Sequence, residues 1–368
     1  MQKKYLVIIL AIFVMLVQRV NATPVVISQD TVITDDIIEG IKVVCDCTIT
    51  FKNQNDITIG SCENTCSGIE IENGKTLVIN IACGANVNVY SGYYIEDDNE
   101  YDCAGIYVPN DATLIIDSKG AGKLIVYPFD RGAGIGGNGV FIEKSAKDIS
   151  CMDAGKIVIN KGKVVIQNAI EASNCGMGAK IGGGGICNTS DDVQVLFGGT
   201  LGKFEIKGGQ LNIMAYYGEK PKGVGAIIGG GGIANFNNVI SSIQGGDAIE
   251  VNICKGKINV MNNDLENQKG VGSVIGGGGI YNEAIVDSIS KGQLFLQQSV
   301  HNVKIKTLND ACIYGDGGIY SNGIYVNSGG QSEGTKTSVK SIGSYLIDKV
   351  LDMCVIFSGL FMIMELIT

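Results

Sequence analysis

Short runs of alternating apolar and polar residues recur along most of the chain. One such run, 156–159, is followed by a turn at Gly162 and by a second run, 163–166. Copies of this pair occupy 203–206 with 211–213 and 249–253 with 258–260. Alternation over four to six positions between glycines is typical of a half-buried β-strand rather than of a helix. The pattern therefore predicts an all-β chain built from pairs of short strands.

A glycine-rich segment separates these strand pairs and returns at a fixed interval. It occupies 132–137, 178–186, 225–233 and 272–280. The isoleucines before its first glycine pair are Ile135, Ile181, Ile228 and Ile275, at steps of 46, 47 and 47 residues. A fixed period of this kind indicates a repeat architecture. Divided into two coils of roughly 23 residues, it predicts a right-handed parallel β-helix over about 24–330, with its aliphatic rows pointing inward.

The repeated glycines have a mechanical reason in such a fold. A bend between two faces needs a positive φ, or it needs the backbones of neighbouring coils to approach closely. Glycine satisfies both needs because it has no Cβ. We therefore expect valine to be poorly tolerated at Gly183 or Gly230.

Both ends of the chain carry hydrophobic segments outside the repeats. Lys3 and Lys4 precede an apolar run, and cleavage after Ala22 fits the small residues there, so residues 1–22 are predicted to be a signal peptide. The rest divides into cysteine-rich N-terminal coils, glycine-rich repeats, a polar linker and a hydrophobic tail, at 23–103, 104–330, 331–344 and 345–368. The tail has three readings: an attachment signal or short membrane anchor, which we favour, a capping helix, and a poorly ordered end. These segments predict a secreted or surface-attached protein.

Cysteines are concentrated near the N-terminus. The chain has 12, and six lie in its first third: Cys45, Cys47, Cys62, Cys66, Cys83 and Cys103. In a secreted chain an even cluster indicates disulfides, which would staple the open N-terminal end of the stack. A zinc site built from the same cysteines lacks histidines, so no metal is expected.

Charge and composition argue against other classes of protein. The net charge is −9, and only two arginines are present. Phosphate recognition needs clustered Lys and Arg, which the sequence does not show, so nucleic acid is not an expected partner. Gly132, Gly134 and Gly137 match a dinucleotide-binding pattern, but they lack a βαβ context and have sister copies in the repeats. No cofactor is therefore predicted.

A family resemblance follows from the glycine-rich segment. The Gly-Ala-Gly-Ile-Gly-Gly motif at 132–137, followed by short Ile-x-Ile strands, resembles a group of secreted β-helix surface proteins described as carbohydrate-binding or adhesin-like. The resemblance covers about 104–326. It implies a parallel β-helix displayed at a cell surface, with a glycan or another cell-surface molecule as its ligand.

Three kinds of side chain are candidates for chemistry on this scaffold. A tyrosine beside a glycine bend can stack on a sugar ring, so the predicted ligand-binding residues are Tyr216, Tyr217, Tyr281 and Tyr320. Asn188 begins a glycosylation sequon. If the protein is an enzyme, Asp191 and Asp192 are its paired carboxylates, although the Gly-His-Gly and Arg-Ile-Lys elements of polygalacturonases are missing.

Three classes of function stay open after the sequence is read. The preferred one is an adhesin or carbohydrate-binding module that works through a shallow, extended face. A purely structural surface protein is the second. A polysaccharide lyase or hydrolase is the third.

Overall fold

The computed structural model of the protein describes residues 23–327, apart from residues 54, 119–121, 145–148, 168–173, 216–219, 238, 263–268, 300–303 and 307–313. The predicted signal peptide, polar linker and hydrophobic tail lie outside the described residues. Within the described ranges the chain forms strands and turns and contains no helix, which confirms the all-β prediction. That part of the chain accordingly has no helix long and apolar enough to cross a membrane.

Three large sheets, named A to C, run through the whole described chain. Sheet A contains Val25–Ile27, Ile41–Val43, Ile69–Ile71, Ile106–Tyr107, Ile135–Gly136, Ile181–Gly182, Ile228–Gly229, Ile275–Gly276 and Tyr314–Gly315. Sheet B contains Thr31–Ile33, Cys47–Phe51, Thr76–Ile81, Thr113–Asp117, Ala154–Lys161, Leu201–Ile206, Ala248–Ile253 and Leu294–Ser299. Sheet C contains Asp56–Ile59, Asn86–Tyr90, Lys123–Tyr127, Lys163–Ile166, Gln210–Ala215, Lys257–Asn262 and Lys304–Lys306.

Three further sheets, D to F, begin later in the chain. Sheet D contains Tyr93–Glu96, Asn99–Asp102, Gly139–Ile142, Ile186–Asn188, Ile233–Asn235, Ile280–Asn282, Ile319–Ser321 and Ile324–Asn327. Sheet E contains Ile149–Ser150, Val195–Phe197, Val239–Gln244 and Ile285–Ser290. Sheet F contains Cys175–Met177, Lys222–Val224 and Lys269–Val271.

Most strands pair in parallel with the equivalent strand of the next repeat. In sheet A the register joins Ile135 to Ile181, Ile181 to Ile228 and Ile228 to Ile275. Residues one full repeat apart therefore lie side by side, so one repeat forms one layer of the stack. The predicted division into two coils of roughly 23 residues is wrong, because strands pair at about 4.8 Å only across a whole repeat. Three pairs in sheet D are antiparallel instead.

Layers near the N-terminus are shorter than the later ones. Sheet A joins Ile41 to Ile69 and Ile69 to Ile106, at steps of only 28 and 37 residues. The longer layers insert strands of sheets D and E between sheets A and B, and a strand of sheet F between sheets C and A. The stack is therefore continuous across the predicted boundary at residue 103, and the layers after Ile135 are longer than those before it.

Alternate aliphatic side chains fill two separate cores. The larger core lies among sheets A, B and C, where residues such as Ile159 and Ile206 are fully buried. The smaller core lies between sheets D and E and includes Ile186, Ile233 and Leu196. The aliphatic rows are thus buried, as the alternating pattern predicts.

The glycine-rich segments lie where the chain passes between these two cores. The chain leaves sheet A for sheet D through 183–185 and returns from sheet E to sheet B through 198–199. The two passes touch, since the Gly199 N–H donates to the Gly184 carbonyl at 3.3 Å. A Cβ on Gly183 would lie 1.8 Å from the Gly199 oxygen. We call this backbone contact, repeated in successive layers, the glycine crossing. It gives the predicted close approach a definite place.

A ladder of buried asparagines fixes the register of sheet D. Asn188, Asn235 and Asn282 are equivalent positions in three consecutive layers, and all three are fully buried. Asn188 Nδ2 donates to Asn235 Oδ1 at 2.8 Å, and Asn235 Nδ2 donates to Asn282 Oδ1 at 2.8 Å. The ladder continues from Asn282 Nδ2 to Ser321 Oγ at 3.0 Å. A shift in register would leave these buried amides without partners, which is costly.

Removing the middle amide of this ladder tests its role. Asn235→Ala takes an acceptor from Asn188 and a donor from Asn282, and both groups are too deeply buried to bond water. We expect urea denaturation to show a loss of about 2–4 kcal/mol in the free energy of unfolding. The exposed Asn73→Ala is the control and should change it by less than about 0.5 kcal/mol. Equal losses in the two variants would show that the ladder does not stabilise the stack.

Candidate functional site

Two of the predicted sugar-binding tyrosines, Tyr281 and Tyr320, are part of a packed ladder on sheet D. They are register partners, and their rings stack with centroids 5.5 Å apart. Lys222 Nζ lies 4.5 Å from the Tyr281 ring centroid, and Lys269 Nζ lies 4.4 Å from that of Tyr320. Tyr281 is 4% exposed, and burial, followed by its hydrogen bond to Glu283, raises its pKa. Tyr281 therefore packs against protein instead of offering a free ring to a sugar.

The structure says less about the other predicted binding and catalytic residues. Tyr216 and Tyr217 lie outside the described residues. Asp191 and Asp192 lie on an exposed turn between sheets D and E, where the Asp192 backbone N–H donates to Ser190 Oγ at 3.3 Å. The geometry of this turn does not indicate where a substrate would bind, so an enzymatic role for the two carboxylates stays a prediction.

Asn188 has no room for a glycan in the folded chain. A glycan is attached to Nδ2, and in Asn188 this atom is buried and donates to Asn235 and to the Ser190 carbonyl. In this structure Asn188 is the first amide of the sheet D ladder and not part of an exposed loop, so the structure gives the glycosylation prediction no support. A sequon is a local pattern and carries no information on burial.

The described disulfide joins Cys175 to Cys187 and ties the first strand of sheet F to sheet D. The predicted N-terminal pairs are not formed in this structure. All six of the candidates are free thiols there, namely Cys45, Cys47, Cys62, Cys66, Cys83 and Cys103. Burial raises the pKa of Cys66 to about 11 and that of Cys103 well above its usual value, which favours the protonated thiol in both residues.

A buried charge cluster surrounds Arg131, which is 6% exposed. One guanidinium nitrogen, Nη1, lies 2.7 Å from Asp102 Oδ2, 2.9 Å from Asp130 Oδ2 and 3.4 Å from Glu100 Oε1. Oxygens of the three carboxylates lie within 4.8 Å of one another, close enough to share a divalent cation. The guanidinium already stands at ion-pair distance from all three, so we interpret the cluster as a structural ion-pair network. Burial nevertheless raises the pKa of Asp102 to about 7.

A surface cleft of about 210 Å³ lies beside sheets A and D. Its walls include Cys66, Cys103, Tyr94, Tyr107 and Met152. The Tyr107 hydroxyl donates to Met152 Sδ at 3.2 Å, which closes part of the space. Pockets for small organic ligands usually enclose about 300–1,000 Å³. The cleft is smaller than such pockets.

Six lysines lie at, or just before, the N-terminal ends of the sheet C strands, where the chain arrives from sheet B. The register places Lys163 beside Lys123, and it places Gln210 between Lys163 and Lys257. Lys161 is the last residue of a sheet B strand, and Lys207 and Lys255 lie in the turns that lead from sheet B into sheet C. We define the lysine row as Lys123, Lys161, Lys163, Lys207, Lys255 and Lys257. It crosses four consecutive layers, with at least one lysine in each.

The lysine row faces solvent and is short of counter-charges. Lys123 and Lys163 are half-buried, and the other four lysines are exposed. Lys207 Nζ lies 3.4 Å from Glu205 Oε2. Among the described residues no other lysine of the row forms an ion pair. The row is therefore a positively charged strip on a chain whose net charge is −9.

Amide side chains form a second column on the same face of sheet C. Asn259 Nδ2 donates to Asn212 Oδ1 at 2.7 Å, and Gln210 Nε2 donates to the same oxygen at 2.9 Å. An amide group has two donor hydrogens and an acceptor oxygen, so this ladder uses only part of its capacity. Farther along the strands, Tyr90 and Tyr127 stack with ring centroids 4.4 Å apart. The face thus offers cations and amides in parallel columns.

The sequence holds a signal for the lysine row, but the signal needs the register to be read. Lys-Gly dipeptides begin at Lys161, Lys207 and Lys255, at steps of 46 and 48 residues. Inspection of the sequence finds no lysine cluster because these residues are far apart along the chain. Stacking brings them to a spacing of about 4.8 Å per layer. In the folded chain these lysines are therefore clustered, so their separation along the sequence is no reason to exclude nucleic acid as a partner.

Comparisons of the chain with protein-family models, with curated proteins and with solved structures find no match.

Proposed function

We propose that this protein is a secreted, right-handed parallel β-helix that binds carbohydrate through the outer face of sheet C. Pairing across one full repeat supports the β-helix. Connections between parallel strands of one sheet are right-handed in nearly all proteins, which supports the handedness. The predicted signal peptide and the Cys175–Cys187 disulfide support an oxidising, extracellular location.

The observation that carries the proposal is the repetition of polar columns on a shallow face. One register position of sheet C holds Lys123, Lys163, Gln210 and Lys257 in four successive layers, and the position two residues on holds amides, Asn212 and Asn259, in the last two of them. A polysaccharide is also a chain of repeated units, so the same weak contact can be made at many points along it. Linked weak contacts add to a useful affinity without a deep pocket. Ammonium groups and amides also bond readily to sugar hydroxyls.

Two native cysteines give a direct way to block this face. Cys83 and Cys254 are exposed free thiols, and both lie in turns that lead from sheet B to sheet C. A bulky maleimide–polyethylene glycol attached at these positions would cover the edge of the proposed binding face.

We expect a broad glycan array to show a bound polysaccharide and labelling with this reagent to reduce the signal at least tenfold. The Cys83→Ser/Cys254→Ser variant, exposed to the same reagent, should keep its signal, since its reactive thiols at this edge are gone. The proposal fails if the unlabelled protein binds no glycan. It also fails if the labelled protein binds as well as the unlabelled one.

A further inference from the structure

We infer that the ligand of sheet C is an acidic polysaccharide, which lies along the lysine row with its axis across the strands. This inference rests on the proposed function and adds to it the chemical class of the ligand and its direction. Carboxylate groups and sulfate esters are the two sources of the negative charge, and the lysine row serves either.

Five of the six lysines in the row form no ion pair among the described residues, whereas several other lysines of this chain do. Lysines at four other places lie within 3.3 Å of a carboxylate oxygen. These pairs are Lys42 with Glu70, Lys203 with Glu250, Lys222 with Glu283, and Lys291 with Asp316. In the row, the one ion pair among the described residues is Lys207 with Glu205. Anionic groups supplied from outside would complete a strip that the chain itself leaves mostly unneutralised.

Like charges in neighbouring layers of the lysine row repel each other, which costs free energy. Layers lie about 4.8 Å apart, and at that distance two ammonium groups in water repel by somewhat less than about 1 kcal/mol. Lysines are close together at three places in the row: Lys123 and Lys163 are register partners, and two layers hold two lysines each, Lys161 with Lys163 and Lys255 with Lys257. An anionic chain on the row would remove that repulsion. A neutral sugar chain would not.

The direction and the length of the lysine row suit an extended sugar chain. The lysine row runs from layer to layer, so it is perpendicular to the strands. Four layers span on the order of 15 Å, which is long enough for a short stretch of an extended sugar chain and for several of its charges. The amide column of Asn212 and Asn259 runs parallel to the lysines and faces the same ligand. In the layers of Asn212 and Asn259, a chain laid along the stack therefore meets ammonium groups on one side and amides on the other, and in the two earlier layers it meets Ile125 and Val165 in place of the amides.

A polysaccharide suits this surface better than a nucleic acid does. Protein surfaces that bind nucleic acid combine lysine and arginine with aromatic rings that stack on the bases. The row contains no arginine, and the described arginine, Arg131, is buried in its ion-pair cluster. The groups beside Gln210 and Lys257 are the amides of Asn212 and Asn259, which match hydroxyl-rich sugars, and the aromatic rings of this face, Tyr90 and Tyr127, are stacked on each other.

The test measures binding of the full chain to four probes by biolayer interferometry: polygalacturonate, dextran sulfate, neutral dextran and single-stranded DNA. We expect polygalacturonate or dextran sulfate to bind at least tenfold more tightly than dextran. Their relative affinities then tell whether carboxylates or sulfate esters are preferred. Binding to the acidic probe should weaken at least tenfold between about 50 mM and 200 mM salt, because several charges are neutralised together.

Two matched variants locate the binding on the row. Lys161→Glu/Lys255→Glu reverses two exposed charges of the row and should weaken binding of the acidic probe at least tenfold. Lys144→Glu/Lys220→Glu reverses two exposed charges elsewhere and should change it by less than threefold. Equal losses in the two variants would overturn the inference, because binding would then follow net charge alone.

The outcomes separate the inference from the function on which it rests. Equal or tighter binding of neutral dextran would overturn the acidic ligand and leave carbohydrate binding in place. Tighter binding of DNA than of either acidic polysaccharide would overturn the inference in favour of a nucleic acid. Binding of no polysaccharide by a correctly folded chain would overturn both proposals.

Discussion

Replacing Gly230 by valine is expected to lower the free energy of unfolding by more than about 4 kcal/mol, or to prevent soluble expression. Gly230 belongs to the glycine crossing, where a Cβ would lie 1.7 Å from the Gly246 oxygen and 2.1 Å from its carbonyl carbon. Both are backbone atoms, so no side-chain rotation relieves the contact. The Gly230 N–H also donates to the Gly276 carbonyl at 2.9 Å, which holds this pass against the next layer.

The same geometry predicts that alanine is nearly as damaging as valine at Gly230, since the first added carbon already clashes. Gly202→Ala is the matched control, because its Cβ would lie 3.1 Å from the nearest atom and Gly202 has no positive φ. We expect that variant to lose less than about 1 kcal/mol. Urea denaturation of the variants checks this. If Gly230→Ala were as stable as Gly202→Ala, the glycine crossing would not be the close contact that it is in this structure.

The sequence predicts the strands and the repeat length well, because both depend on local patterns. Alternation marks the strands of sheets B and C, and the aliphatic residues at alternate positions are buried there. The number of strands in each layer is harder to predict. The strands of sheet A in the long repeats have two residues, as in Ile181–Gly182, and those of sheet D have three, as in Ile186–Asn188. Runs this short show no alternation, so the sequence pattern does not distinguish one long layer from two short coils.

Candidate site residues were harder to predict, because their roles depend on contacts between layers. A tyrosine beside a glycine bend looks available to a sugar, yet Tyr281 is covered by Lys222 and by the ring of Tyr320. A sequon looks exposed, yet Asn188 is held in a buried ladder. Lysines such as Lys161 and Lys255 look scattered, yet the register gathers them. In each case the contact that decides the role of the residue comes from another layer. Only the strand pairing shows which residues of different layers are neighbours.

The ion-pair network around Arg131 supplies the second large expected effect. Asp102 is fully buried, and Arg131 donates to its Oδ2 at 2.7 Å. Replacing Arg131 by methionine keeps much of the side-chain volume and removes the cation, so a buried carboxylate is left without its partner. Such a loss costs about 3–5 kcal/mol in the free energy of unfolding. We expect a loss of that size at pH 8, measured by urea denaturation.

The size of this loss should depend on pH in a definite direction. Burial raises the pKa of Asp102 from its ordinary 3.8 to about 7, even with Arg131 beside it, and loss of Arg131 would raise it further. A group whose pKa is higher in the folded state stabilises the fold below its unfolded pKa, and this stabilisation is lost as the pH rises through the folded pKa. Arg131→Met should therefore be much less damaging at pH 5, where Asp102 is protonated, than at pH 8. Arg131→Met/Asp102→Asn removes both charges and should recover part of the stability at pH 8 and lose most of the pH dependence. A loss that is the same at both pH values, in the single and in the double variant, would mean that Arg131 acts through packing and not through its charge.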